Sequence, residues 1–283
     1  MALALKHLAE ARGVEFRTNC HVTRIETQDG RVAAVHTGDG RFPCTAAIFN
    51  GDPRALALGR LGQAARRAVP ARPLERRSLS AQVWAFATDV HGADLVHHNV
   101  FFADDPKQEF DPISRGDTPP APTIYICAED RGTGLTPPAV ERLELILNAA
   151  PLPATAPGGA PTAEEIEACR QRTLQTLAPF GLSFGTPPPD AALTLPQEWE
   201  ARFHGSAGSL YGQSPHGMMA AFQRPTARTR VPGLYLVGGG THPGAGVPMA
   251  TLSAQHAAEA MLRDQISTST SRQTATHGGM STA

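Results

Sequence analysis

The sequence predicts an α/β pattern at both ends of the chain and a middle region of α+β character. Three observations carry this. Residues 2–50 read as a helix, a meander of short strands and a returning apolar strand. Residues 233–262 read as a strand, a glycine-rich loop and a helix. Between them, from Ser78 to about residue 227, strand-like runs follow one another through proline-rich connectors, as in a largely antiparallel sheet.

Taken in order, residues 2–11 predict an amphipathic helix closed by Gly13, with Leu3, Ala4, His7, Leu8 and Ala11 on one side. Short strands are expected at Val14–Arg17, Val22–Thr27 and Arg31–Thr37, with turn signals at Asp29-Gly30 and Asp39-Gly40. Ala46–Asn50 is a further apolar strand running into GDPRALALG, a helix. The middle carries SLSAQVWAFA, LVHHNVFF, TIYICA and LELILN as strands. Thr162 and Glu165 form a capping box for a helix with Ile166, Cys169, Thr173 and Leu177 on one face, ending before Pro179. The polar tail 265–283 is expected to be disordered.

Composition narrows the function classes. With 41% hydrophobic residues, 283 residues can bury a sizeable core, and a net charge of −1 does not suggest a nucleic-acid partner. Cys20, Cys44, Cys127 and Cys169 are dispersed, without a C-x-x-C pair, which fits a reducing, cytoplasmic setting and argues against a zinc or disulfide framework. Adjacent His97 and His98, read as strand neighbours, point to opposite faces, so no metal site is expected. Gly181-Leu182-Ser183-Phe184-Gly185 matches G-x-S-x-G, but a helix and Pro179 precede it and prolines follow, so the match is accidental.

The most informative stretch is GLYLVGGGTHPGAGVPMATLSAQHAAEAML, residues 233–262. Leu234–Val237 is the strand, and glycines 238–240, 244 and 246 allow close approach of the backbone. Pro248 suits the first turn of a helix, whose apolar face is expected to hold Ala250, Ala254, Ala257, Ala258 and Met261. Open N–H groups at such a helix start attract an anion or the polar edge of a ring.

This segment, with THPGAGVP at its centre, resembles the carboxy-terminal flavin signature of the carotenoid desaturases, FAD-dependent oxidoreductases related to amine oxidases. HHNVFFADDPKQEF, PTIYICAEDR, ERLELILN and SLYGQSPHGMMAAFQRP look most like the hydroxycarotenoid 3,4-desaturases, or methoxyneurosporene dehydrogenases. The resemblance covers nearly the whole chain apart from the tail. It implies an FAD-binding, Rossmann-like domain over 1–77 and 228–264, with a substrate domain, 78–227, inserted. The G-x-G-x-x-G turn that opens such domains does not occur in the sequence. The FAD-binding domain is therefore expected to be incomplete and the chain to be the carboxy-terminal part of a longer desaturase.

The implied activity is FAD-dependent introduction of a C=C bond into an acyclic hydroxy- or methoxycarotenoid. The implied flavin contacts are Gly239, Gly240, Gly246, Val247, Pro248 and Met249, with Val22 beside the adenine. A lipophilic carotenoid implies docking of the complete enzyme at the inner face of a membrane, although no strongly basic amphipathic helix is seen. Candidate proton carriers are Glu129, Asp130, His216 and His242. His242 stands out by position, as a loop-bonding ring or as a proton-transfer group. Glu129 and Asp130 read as solvated charges. Met218, Met219, Phe222, Trp84 and Phe86 are either polyene-lining or core residues. Two other readings stand beside this one: a non-catalytic truncated remnant that at most binds lipid or carotenoid, and an amine-oxidase-like enzyme acting on a polar amine. The apolar middle and THPGAGVP speak against the last.

Overall fold

The structure, a computed structural model, describes residues 1–71, 75–132, 134–153, 160–217 and 219–274. Helix α1 (Ala2–Glu10) forms as expected but buries none of its residues, and Leu3, Leu5 and Leu8 are exposed. Val14–Arg17, expected as a strand, has no ladder partner and is irregular. The meander instead consists of β1 (Val22–Gln28), β2 (Arg31–Thr37) and β3 (Gly40–Pro43), in the order β1-β2-β3. Glu26 on β1 accepts from Arg41 on β3 at 2.8 Å and lies 2.6 Å from the His36 ring on β2, so one carboxylate ties all three strands. Those partners, Arg41 first, lower its pKa from 4.5 to about 2.

Strand β4 (Ala47–Phe49) leads into α2 (Pro53–Ala57), whose start is dictated locally: Asp52 accepts from the Arg54 N–H at 2.9 Å and Pro53 occupies the first turn. A short α3 (Gln63–Arg66) packs on β1.

The middle region forms a five-stranded sheet from β5 (Ser80–Thr88), β7 (His98–Phe101), β8 (Ile124–Ala128), β9 (Glu141–Ala149) and β11 (Leu193–Thr194). Its order is β11-β5-β9-β8-β7 and every pairing is antiparallel. Alternation along β9 buries Leu143, Leu145 and Leu147 on one face. They meet Trp84, Phe86, Ile124 and Ile126 in the largest apolar cluster. Helix α5 (Ala163–Leu177) covers that face with Cys169, Thr173 and Leu177 buried, and the Thr162/Glu165 capping box is formed, at 3.2 and 2.8 Å. Ser183 lies in β10 (Ser183–Phe184), which pairs with β6 (Val90–His91), so it sits on no nucleophile elbow.

Two helices here escaped sequence reasoning. One, α4 (Pro106–Arg115), carries an interior Pro112 that reads as a breaker, although Asp105-Pro106 and the left-handed Gly116 mark both its ends. The other, α6 (Pro196–Arg202), is a short turn of helix against β5.

The chain then returns to β4. Strand β12 (Leu234–Leu236) pairs with it in parallel, Leu234 opposite Ala47 and Leu236 opposite Phe49. The loop after it enters α7 (Val247–Thr274). The helix therefore continues through 265–274, part of the tail expected to be disordered; 275–283 lie outside the described residues. Its buried stripe is also rotated from the expected one. Ser253, Ala257 and Ala260 are buried while Ala254 and Ala258 are exposed, because Ser253 Oγ accepts from the Gly238 N–H at 2.8 Å and turns that side toward β12. Among the described residues no helix is long and apolar enough to cross a membrane.

Candidate functional site

The glycine-rich loop is built against the β4–α2 turn. A Cβ on Gly238 would stand 2.4 Å from Asn50 Oδ1, and one on Gly240 would stand 2.7 Å from Pro53 Cδ. Both glycines are thus required by contact with Asn50-Gly51-Asp52-Pro53. Gly246 is different. It has φ +97°, and a Cβ there would meet nothing within 4 Å. From this point Val247, Pro248 and Met249 are exposed, Val247 at 64%. The loop therefore has a packed inner side and a bare outer side at the start of a helix.

The inner side is held by buried charge. Arg224 donates to the Gly239 carbonyl at 2.8 Å and to the Tyr211 and Gln213 carbonyls at 3.0 Å. Arg77 pairs with Asp52, both side chains under 10% exposed. Burial, then the neighbouring Arg77 charge, pushes the Arg224 guanidinium below its ordinary value, opposed by Asp52. Arg54 is pushed down in the same way, by burial first. Nearby, Glu200 is buried; burial raises its carboxyl, but the Gly205 and Ala207 N–H groups and Arg60 outweigh it and the net shift is downward. The polar core under the loop thus concentrates arginines where a loop carbonyl and an N-cap carboxylate must be fixed.

On the other side of the β4–α2 turn lies a cavity of about 620 Å³, lined by His21, Val22, Ile48, Asn50, Asp52 and Arg202 among others. Val22 opens β1 and is 36% exposed. Asn50 thus borders the cavity and touches the loop at Gly238.

A family model described as flavin containing amine oxidoreductase matches residues 1–262. The chain belongs to that family. The flavin cofactor expected from the motif agrees with this family. Among curated relatives, hydroxyneurosporene desaturase of Cereibacter sphaeroides is 50% identical over 95% of this chain and 53% of its own length. The proteins of the same name from Rhodobacter capsulatus and Rubrivivax gelatinosus are 51% and 42% identical, over 94% and 100% of this chain and 53% and 54% of their own lengths. The chain spans about half the length of these relatives. An oxidoreductase from Methanosarcina mazei shares the fold, with a TM-score of 0.53 at 16% identity over 89% of this chain and 52% of that one.

The remaining candidates are distributed as follows. His242 sits in the glycine-rich loop; its backbone N–H donates to the Pro225 carbonyl at 2.8 Å and its ring stacks on His256, centroids 6.3 Å apart. His216 is exposed, as is Glu129. Asp130 is not a solvated charge: Arg142 donates to it from side chain and backbone and lowers its pKa. Trp84 and Phe86 are core residues, whereas Met219 and Phe222 are exposed at 54% and 77%. Met218 lies outside the described residues. Arg77 and Arg224 were missed by sequence reasoning. Only Asp52 left a local signal, the Asp-Pro helix start.

Proposed function

We propose that the protein takes part in FAD-dependent desaturation of an acyclic hydroxy- or methoxycarotenoid, introducing a C=C bond during carotenoid biosynthesis. The identity to hydroxyneurosporene desaturases supports this reading. The single structural observation behind it is the bare shelf at Gly246–Met249, at a helix start and backed by a loop whose carbonyls are already fixed. Residues 1–77 and 228–264 are read as the flavin-binding part and 78–227 as the inserted substrate domain. Backbone at Gly239, Gly240, Gly246, Val247, Pro248 and Met249 holds the flavin edge, and Val22 lies beside the adenine.

A bound flavin supplies the hydride acceptor. The chain's part is to orient and to exclude water. The helix start offers N–H groups to the polar ring edge, exposed Met219 and Phe222 offer apolar contact to a polyene, and His242 carries the proton. A lipophilic substrate implies work at a membrane surface.

The test begins with the visible spectrum of the chain after incubation with excess FAD and removal of the unbound cofactor. A retained, shifted flavin band is expected, and Val247→Trp, which changes an exposed side chain, should remove it. Unchanged flavin retention in Val247→Trp and Gly246→Trp would overturn the loop assignment. On liposomes loaded with an acyclic hydroxycarotenoid, the flavin-loaded protein should shift carotenoid absorption to longer wavelength. Flavin-loaded protein that leaves the carotenoid spectrum unchanged would sink the substrate assignment.

A further inference from the structure

At the outer edge of the five-stranded sheet, three ligating side chains converge. His97 lies just before β7, not within it, so strand alternation does not separate it from His98. The two rings meet edge to face with centroids 4.3 Å apart. Cys127 on β8 is the register partner of His98, and its Sγ stands 3.8 Å from His97 Nε2. One ligand atom from each of His97, His98 and Cys127 lies within 4.8 Å of the others.

The surroundings of His97 select the tautomer that a cation requires. Its Nδ1 lies 3.0 Å from the Ala128 carbonyl and 2.9 Å from the Arg131 carbonyl. Facing two acceptors, Nδ1 must carry the hydrogen, which leaves the lone pair of the neutral ring on Nε2, toward Cys127. A backbone carbonyl on the far ring nitrogen is the usual outer partner of a metal-bound histidine. The backbone also clamps the residue: the Ala128 N–H donates to the His97 carbonyl at 2.9 Å, and Gly132 approaches so closely that a Cβ there would stand 3.0 Å from His97 Cβ. Arg131, which closes this loop, is fixed by Glu141 and by the Leu95 carbonyl.

His98 Nδ1 lies 2.7 Å from the Tyr125 hydroxyl, which as acceptor from Nδ1–H leaves Nε2 to a cation. Carboxylates add negative charge: Glu129 Oε1 is 3.6 Å from Cys127 Sγ, and Glu144 is the register partner of Cys127 on β9. Ligand atoms around a tetrahedral zinc ion stand about 3.6 Å apart. The Cys127–His97 separation already approaches that value, and the exposed His98 can swing in.

We propose that His97, His98 and Cys127 form a binding site for a divalent transition cation of the Zn²⁺ class, at the β7–β8 edge. The metal–sulfur bond replaces the S–H bond, the proton leaves to solvent, and no oxidation state changes. The fourth position is open to water, next to Glu129. The site uses no flavin and no carotenoid, so it stands or falls apart from the function proposed above.

The probe is Co²⁺ titrated into the whole purified chain under reducing conditions, followed by Zn²⁺ competition. A thiolate-to-cobalt absorption band saturating at a single equivalent, and bleached by Zn²⁺, is expected. Cys127→Ser should abolish the band, His97→Ala and His98→Ala should weaken Co²⁺ binding at least about 100-fold, and Cys20→Ser should leave it intact. Because His97 also braces backbone, the exposed His98 carries the test if His97→Ala does not fold. Absence of a thiolate band, its persistence in Cys127→Ser, or unweakened binding in His98→Ala would overturn the site.

Discussion

The five-stranded sheet and the glycine-loop region differ in how much buried charge stands beside their apolar cores. The sheet rests on apolar burial: Trp84, Ile124, Ile126, Leu145 and Leu147 are fully buried in one cluster under α5. The glycine-loop region rests on two sheets of two and three strands, on a second apolar cluster around Leu56, Leu234 and Leu236, and on charged side chains drawn under the loop. Its α1 buries nothing, and Ile48 on β4 is 49% exposed. The lesson is that close backbone geometry, here a loop pressed on Asn50 and Pro53, is bought with buried hydrogen-bonded charge, whereas a sheet face is maintained by side-chain volume.

Substitutions can break or sharpen that contrast. The largest effect is expected from Trp84→Ala, which leaves a cavity in the sheet core and should cost about 4 kcal/mol in urea unfolding. Asp52→Ala comes next. It removes both the Arg77 partner and the α2 cap, and should cost about 3 kcal/mol. Unlike Trp84→Ala, it should also reduce flavin retention, because the turn under Gly238 and Gly240 loosens. Thr162→Ala, which removes one half of the α5 capping box, should cost about 1 kcal/mol.

The meander should respond to acid. The Glu26 carboxyl is lowered from 4.5 to about 2 in the folded chain, so between those values the unfolded chain binds more protons. The stability contributed by Glu26 is complete above about 4.5 and is lost as the pH falls through about 2. Glu26→Gln should flatten that part of a stability-versus-pH curve; an unchanged acid limb would refute the three-strand tie. The smallest effect is expected from Leu3→Ala in α1, within about 0.5 kcal/mol of zero, since that side chain is 71% exposed. A cost comparable to Thr162→Ala would mean that α1 is packed in solution and that the contrast is overstated.

What could be read in the sequence was what is local. The capping box at Thr162 and Glu165, the alternation of β9 and the strand–loop–helix at 234–262 each depend on residues a few positions apart. The same locality explains the errors. Val14–Arg17 has strand-like residues but no neighbour to pair with. Pro112 looks like a breaker, yet α4 spans it between two well-marked ends. The stripe of α7 was placed by alanine spacing, while the hydrogen bond from Gly238 to Ser253 set its rotation.

By itself the sequence determined most of the strands, the capped helix at 163–177, the glycine loop at a helix start and the family signature, because spacing and turn chemistry act along the chain. Only the tertiary structure decided which glycines are packed and which is bare, that Arg224 and the Asp52–Arg77 pair hold the loop, and that His97 meets His98 and Cys127. Those contacts join residues far apart in sequence, where no periodicity records them. Their energies come from burial and close approach, which exist only once the chain has folded.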